Sequence, residues 1–266
     1  MPEISLSIVV ILLVSGLFVG FINTLAGGGS AISLTVFMAL GLPVHVANGT
    51  NRVAILMQNL SSTATFTRKK LIDWNVGLRL GIPAILGTLV GAHIAVTINE
   101  RIFQICLATV IGLVLIFTVF GGKIFREGSD ADAPAKRKIG PLHYLLFFLI
   151  GIYSGYIFVG TGFTILLVAM GLLGLDAVKS NVIKNFIVLL SMPFSLAVFV
   201  INGDVDYAYG LIHGAGNMVG AFLASQYAIG WGAKFMRWFM IVVVLVCLAD
   251  VVGLISIRSA VMAIIH

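Results

Sequence analysis

Hydrophobic residues follow one another along this chain in long runs, and charged residues are confined mostly to short connections. Stretches without Asp, Glu, Lys or Arg cover 4–51, 80–99, 102–122, 142–175 and 207–233. Several of these stretches exceed the ~20 apolar residues that an α-helix needs to cross a bilayer. A strand-based membrane protein would instead alternate polar and apolar residues over ~10-residue segments. The pattern therefore predicts an all-α polytopic membrane protein.

In the first half, glycine and proline divide the runs into helices. A span is predicted from Leu6 to Leu25, and it stops at the glycines 27–29 because glycine is unfavourable inside a helix. Residues 30–42 are apolar again but too short for a full crossing at ~1.5 Å per residue. We expect a half-helix or the return limb of a re-entrant hairpin there. Helices are then predicted over 44–67 and 74–97.

The second half repeats this order in one ungapped register. The glycine break recurs, with Gly27 aligned to Gly160 and Gly29 aligned to Gly162. A span is predicted before it at 142–159 and a short apolar limb after it at 163–175. The chain is therefore interpreted as a duplicated unit of about five hydrophobic segments.

The two copies are expected to have opposite orientations in the membrane. The connection after the third segment is basic in the first copy, at 68–70, and acidic in the second, at 202–206. Basic connections favour the cytoplasmic side. We thus expect two inverted repeats, at 1–120 and 142–266, joined by a cytoplasmic linker at 121–141.

Composition agrees with this class, because 60% of the 266 residues are hydrophobic and 10% are charged. The net charge of +6 could indicate nucleic acid, but the basic residues lie mainly in connections, where they act as topology signals. Cys106 and Cys247 lie inside apolar segments and indicate neither a disulfide nor a metal site. No basic segment precedes the first apolar run, so no cleavable signal peptide is expected.

Two polar faces lie inside apolar helices, one in each half. Their spacing is i, i+3 and i+4, which places each set on one side of a helix. The second set follows the first in the register of the repeat, with an amide and a cation exchanged: Asn48, Asn51 and Arg52, then Asn181, Lys184 and Asn185.

The cations of these faces need partners, since a cation inside a membrane costs at least ~2.5–3.5 kcal/mol on insertion scales. No acidic residue is evident near Arg52 or Lys184, so a bound anion is the predicted partner. Amides and a guanidinium suit an oxyanion, where directional donors converge. Snorkelling to the surface or pairing with an internal acid is the competing interpretation for the cations. For each asparagine it is an ordinary helix–helix contact.

The glycine breaks could contribute to the same site. Each precedes a short helix, and a helix N-terminus carries about half a positive charge and free N–H groups. Gly28, Gly29, Thr161 and Gly162 are therefore predicted to contact the anion. The alternative is that these small residues only allow close helix packing.

Three further polar residues are candidates for the pathway: Gln58, His213 and Asn217. A histidine could carry a proton, but a hydrogen-bonded packing role is the competing interpretation. The sequence contains no nucleotide-binding loop, no carboxylate pair at hydrolase spacing and no zinc ligand cluster. We therefore expect no enzyme activity, no cofactor and no metal.

At these residues the sequence resembles the TauE/SafE sulfite exporters, also called the toluene-sulfonate uptake permease family. The resemblance is carried by the glycine breaks, by the run Gly41, Leu42, Pro43 with 47–52 after it, and by a weaker copy at Gly174, Leu175 and Lys184. It extends over about residues 8–255. It implies a secondary carrier for sulfur-containing anions, and some relatives take up small carboxylates.

The expected function is a secondary transporter that moves a small organosulfonate, sulfite or thiosulfate by alternating access. A carrier of small carboxylates, an anion channel, and a membrane enzyme or structural subunit are the alternatives. The expected partners are a small anionic substrate and the lipid bilayer of the plasma (inner) membrane, which the chain crosses several times. No nucleic acid is expected. Coupling to protons and a homodimer are both left open.

Overall fold

The computed structural model describes residues 4–99, 101–103, 105, 106, 109 and 139–227. Within these ranges every regular element is a helix, which confirms the all-α class. Residues 207–227, named α8 here, are helical. The other helices are α1 Leu6–Leu25, α2 Ser30–Ala39, α3 Val44–Arg68, α4 Trp74–Thr97, α5 Pro141–Tyr156, α6 Thr161–Gly171 and α7 Ala177–Ile201.

Two expectations fall largely outside the described residues. The predicted linker at 121–141 is described only from residue 139 onward, and the last hydrophobic segment of each repeat is described in a few residues or not at all. The division of the chain into 1–120 and 142–266 therefore stays a prediction.

Helix ends follow the local sequence closely. The side chain of Asp73 accepts a hydrogen bond from the Val76 amide at the start of α4 (3.1 Å), as an N-cap residue does. Gly27 and Gly160, which align in the repeat, both have left-handed φ angles, of 83° and 75°, a conformation that favours glycine. The predicted breaks after α1 and α5 are thus confirmed.

Two segments of the second half depart from their predicted bounds. The span predicted over 142–159 ends as a helix at Tyr156, and 157–160 are not helical. The short limb predicted over 163–175 is helical from Thr161 to Gly171. The residues directly after Tyr156 are apolar, so hydrophobicity alone could not distinguish their non-helical backbone from a continuing helix.

Within the part of the chain that the structure describes, three helices are long and apolar enough to cross a membrane by length and composition: α1, α4 and α7. The α2, α5 and α6 helices are apolar but shorter, with 10, 16 and 11 residues. Helix α3 has 25 residues but carries the first polar face. The short helices α2 and α6 agree with the expected half-helices that follow each break.

Helices α3 and α7 pack against each other in opposite directions. The hydroxyl of Thr50, near the start of α3, accepts a hydrogen bond from the amide of Asp206, just beyond the end of α7 (2.9 Å). Further along α3, the hydroxyl of Ser62 donates to Oδ1 of Asn185, in the first half of α7 (3.2 Å). The two polar faces therefore belong to a central antiparallel pair.

The flanking helices join one half of the chain to the other through glycine. Helix α4 packs extensively on α5, and a Cβ atom on Gly87 would lie 2.0 Å from the carbonyl oxygen of Phe148. Helix α1 packs on α8 in the same way, since a Cβ on Gly16 would lie 2.2 Å from the His213 carbonyl oxygen. Only glycine allows backbones to approach this closely.

The two largest apolar clusters among the described residues form the core. The first includes Phe37, Phe199 and Tyr209, and the second includes Phe147 and Met192. Each cluster draws residues from both halves, so the core is shared between them.

Candidate functional site

The two glycine breaks touch each other at the centre of the described bundle. A Cβ atom on Gly27 would lie 2.5 Å from the Cα of Gly162, and one on Gly162 would lie 2.6 Å from the Cα of Gly27. Real Cβ atoms do not approach so closely, so these glycines are required for packing. Next to them, a Cβ on Gly28 would meet nothing within 4 Å, and one on Gly29 would lie 3.0 Å from the Val19 carbonyl oxygen.

A small cavity lies beside this contact and is open on one side. The empty space in and around it, including solvent at the opening, is about 200 Å³. Its wall combines both breaks with both central helices. The lining residues are Asn23, Gly27, Gln58, Asn59, Phe158, Gly162, Lys184, Asn185 and Val188. Four of the predicted site and pathway residues are among them: Lys184, Asn185, Gly162 and Gln58.

Lys184 is the cation of the cavity wall. Its side chain is buried, and its Nζ donates hydrogen bonds to the carbonyl oxygens of Asn23 (2.8 Å) and Thr24 (2.9 Å). These carbonyls belong to the last turn of α1, where carbonyl oxygens have no donors within the helix and carry partial negative charge. An ammonium has three N–H donors, so one donor is left after these two bonds.

Arg52 binds the other broken helix in the same manner. Its guanidinium donates to the carbonyl oxygens of Ser154 and Gly155, the latter at 2.9 Å, in the last turn of α5. It also lies 5.9 Å from the ring centroid of Phe158 and 5.2 Å from that of Phe199. Arg52 is fully buried but does not line the cavity.

Each cation thus caps the broken helix of the opposite half. No carboxylate is evident in the sequence near Arg52 or Lys184, and the sequence predicts a bound anion as the partner of their charges. The structure instead supplies backbone carbonyl oxygens to both. The compensation is partial, because a helix C-terminus carries only about half a negative charge.

The asparagines of the two polar faces are buried. Two of them, Asn48 and Asn185, bond to the same helix ends, Asn185 through the Thr24 carbonyl oxygen (3.4 Å). The amide nitrogen of Asn48 donates to the Tyr156 carbonyl oxygen (3.0 Å). Asn185 donates to the Asn181 carbonyl oxygen (2.8 Å). Among the described residues the side chain of Asn51 has no hydrogen-bond partner. Of these four, Asn185 alone lines the cavity.

The remaining candidates separate into two groups. Gln58 lines the cavity. His213 instead lies between α1, α2 and α8. Its Nδ1 is hydrogen-bonded to the Leu12 carbonyl oxygen (3.0 Å), and its Nε2 is hydrogen-bonded to the Ser33 hydroxyl (2.9 Å). Asn217 donates to the His213 carbonyl oxygen (3.1 Å). The buried hydroxyl of Thr161, at the start of α6, has no partner among the described residues.

Two polar lining residues, Asn23 and Asn59, are not among the site residues that the sequence predicts. Both are amides in apolar helices, a signal in itself, since a polar residue inside a membrane span needs a reason. The repeat does not indicate them, because the aligned positions of the second half are not amides but Tyr156 and Met192.

Interrupted helices, buried cations and a cavity between the two halves of the chain are typical of membrane transporters. The chain belongs to the TauE/SafE sulfite exporter family. The model of this family, described as "Sulfite exporter TauE/SafE", matches residues 12–251. This is a family of membrane transporters and not of enzymes. The resemblance drawn from the glycine and asparagine motifs is confirmed.

Curated relatives agree with this membership. The chain is 26% identical to a probable membrane transporter protein, ORF9, of Sinorhizobium, over 91% of this chain and 92% of that protein. It is 28% identical to a probable membrane transporter protein of Haemophilus influenzae, over 88% and 91%. It is 26% identical to the probable membrane transporter protein YunE of Bacillus subtilis, over 88% and 95%. No solved structure gives a significant match.

Proposed function

We propose that this protein is a secondary transporter that moves a small sulfur-containing oxyanion, of the organosulfonate, sulfite or thiosulfate type, across the plasma membrane. The observation that carries the proposal is the buried ammonium of Lys184 in the wall of a cavity built from both halves. The family description, which refers to sulfite export, supports the substrate class.

The chemistry of the cavity wall favours an anion. Its described lining contains one cation, Lys184, together with amides and apolar groups, and it contains no carboxylate. A buried charge needs compensation, and the two carbonyl oxygens bound to Lys184 supply only part of it. An anion in the cavity would neutralise the rest of the Lys184 charge. It would also accept a hydrogen bond from the remaining N–H of the ammonium.

The cavity favours a small passenger that enters when the lining moves apart. In this structure it has room for little more than a water-sized group. Sulfite, thiosulfate and short alkanesulfonates are compact anions with three oxygens available as acceptors. Gln58, Gly162 and Asn185 complete the polar part of the proposed site. Arg52 and the other asparagines of the polar faces do not line the cavity and stabilise the residues around it.

Alternating access is supported by the relationship between the halves. Helix α3 (Val44–Arg68) and helix α7 (Ala177–Ile201) begin and end at aligned positions of the repeat, and they cross in opposite directions. Such a pair is what an inverted repeat produces, and in inverted-repeat carriers one unit rocks against the other around a fixed central site. The meeting point of Gly27 and Gly162 would then be the pivot.

Reconstitution of the full-length protein into proteoliposomes tests this function. Saturable uptake of sulfite, thiosulfate or an alkanesulfonate, accelerated by the same anion inside the vesicle, is the expected result. Carboxylates matched in size to the sulfonates are the control. Transport of carboxylates alone would overturn the substrate class, and an ohmic current without trans-stimulation would overturn the carrier mechanism in favour of a channel.

A further inference from the structure

We infer that the passenger is a monoanion that also carries a hydrogen-bond donor, such as a hydroxyalkanesulfonate or hydrogensulfite, and that Gln58 and Asn23 select it. This inference rests on the proposed function and specifies the substrate class of the same cavity. The sequence indicates Gln58 only as a possible pathway residue, and it does not indicate Asn23.

The first argument is charge. Lys184 is the one cation among the described lining residues, and its ammonium already donates to two carbonyl oxygens. Arg52 does not line the cavity, and its guanidinium is engaged with Ser154, Gly155 and Asn48. A monoanion would neutralise the wall, whereas a dianion would leave a buried charge without a partner, which is strongly unfavourable.

The second argument is the presence of acceptors without donors. Gln58 and Asn23 both line the cavity, and each is only 2% exposed. Oε1 of Gln58 and Oδ1 of Asn23 have no hydrogen-bond partner among the described residues. A buried acceptor left without a donor is unfavourable. Sulfonate oxygens cannot relieve this cost because they are acceptors themselves, but a hydroxyl group on the passenger can.

The orientation of the Asn23 amide is fixed by its neighbour. Its Nδ2 donates to the hydroxyl of Ser30 (3.1 Å), which bridges the glycine break from α1 to α2. The carbonyl oxygen of Asn23 meanwhile accepts from Lys184. One residue therefore holds the ammonium through its backbone and has a buried side-chain oxygen that accepts no hydrogen bond within the described residues.

The other amides of the wall are already occupied. Asn59 donates to the Ile55 carbonyl oxygen (2.8 Å). Asn185 donates to the Asn181 carbonyl oxygen and accepts from the Ser62 hydroxyl. Among the amides of the described lining, the buried side-chain oxygens that lack a hydrogen-bond donor are those of Gln58 and Asn23.

The repeat offers a matched control position. The residue aligned with Gln58 in the second half is Ser191, which does not line the cavity and whose hydroxyl bonds to the Ile187 carbonyl oxygen of its own helix (3.0 Å). A change at Ser191 alters a polar residue at the equivalent depth of the other central helix without touching the proposed acceptors.

Two monosulfonates matched in size and one disulfonate separate the two arguments. In nanodiscs, the full-length protein is titrated with 2-hydroxyethanesulfonate, with propane-1-sulfonate, which replaces the hydroxyl by a methyl group, and with the dianion ethane-1,2-disulfonate. We expect the hydroxyl compound to bind ~10-fold more tightly than propane-1-sulfonate, as one satisfied buried acceptor implies. The dianion should bind more weakly than both.

Two variants then assign the preference to residues. Gln58→Leu and Asn23→Leu should each reduce the ratio between the hydroxyl and methyl compounds toward one, while Ser191→Ala should keep it. Because the wild-type ratio is itself diagnostic, the test does not depend on either variant folding. An unchanged ratio in both folded variants would overturn the assignment to these residues.

The remaining outcomes separate this inference from the proposed function. Equal affinity for the hydroxyl and methyl compounds in the wild type, or tighter binding of the disulfonate, overturns the inference and leaves a sulfonate transporter in place. Failure of all three sulfonates, and of sulfite and thiosulfate, to bind overturns the proposed function and the inference together.

Discussion

The ammonium of Lys184, in the second half of the chain, donates a hydrogen bond of 2.8 Å to the carbonyl oxygen of Asn23, at the end of the first helix. Arg52 makes the reciprocal contact, from the first half to the Gly155 carbonyl oxygen in the second (2.9 Å). Each half thus carries a cation that stabilises the interrupted helix of the other. The two cations differ in one respect, since only Lys184 borders the cavity.

Because of this difference, we expect replacement of Arg52 to lower the stability of the protein and replacement of Lys184 to lower transport. Arg52→Ala would leave the carbonyl oxygens of Ser154 and Gly155 without their donor, at a cost of roughly 1–3 kcal/mol for each orphaned group. We expect a lower melting temperature of the purified protein by thermal unfolding in detergent, and a smaller loss for Arg52→Lys, which retains the charge.

The matched control for Arg52 is Lys179→Ala, because Lys179 is 69% exposed and pairs with Asp176 at the surface. Exposed ion pairs contribute ~0–1 kcal/mol, so this variant should unfold close to the wild-type temperature. An Arg52→Ala protein with unchanged thermal stability that had lost anion affinity would contradict the helix-capping role.

The contact between the breaks makes a second prediction. In Gly162→Ala the new Cβ would lie 2.6 Å from the Gly27 Cα and 3.2 Å from Cδ of Lys184. Overpacking of this kind costs ~1–3 kcal/mol, so both thermal stability and transport should fall. Gly140→Ala is the control, since a Cβ there meets nothing within 4 Å. Equal stability of the two variants would show that the breaks are not in close contact.

A third prediction concerns the orientation of the repeats. In a background with both cysteines replaced, Arg68→Cys and Asn202→Cys place single thiols at exposed ends of α3 and α7. Because α3 and α7 run in opposite directions, an impermeant maleimide should label position 68 only from the cytoplasmic side and position 202 only from outside. Labelling of both from one side of intact cells contradicts an inverted repeat.

The helices could be predicted closely from the sequence because glycine, proline and charge interrupt the apolar runs where helices end. The structure begins and ends α1 at Leu6–Leu25 and α4 at Trp74–Thr97, as the pattern predicts. The error at the end of α5 arose where the interruption, residues 157–159, is itself apolar. Hydrophobicity reports burial in such a segment and not its backbone conformation.

The site was predicted only in part. Spacing placed Lys184 and Asn185 on one helix face, and the structure places both in the cavity wall. The partners of Arg52 and Lys184 could not be anticipated, because backbone carbonyls occur at every residue and the ones that matter are chosen by tertiary packing. Asn23 became part of the wall for the same reason, through the meeting of the two breaks.

The central claim is that the ammonium of Lys184 holds the transported anion. It is tested most directly by sulfonate counterflow in proteoliposomes containing wild type, Lys184→Gln, Lys184→Arg or the surface control Lys179→Gln, at equal amounts of folded protein. We predict at least a ~10-fold loss of transport in Lys184→Gln, the loss expected when one buried charge-assisted hydrogen bond to the anion is removed. Lys184→Arg should retain part of the activity and Lys179→Gln nearly all of it. A Lys184→Gln protein that exchanges sulfonate as fast as the wild type would contradict the account.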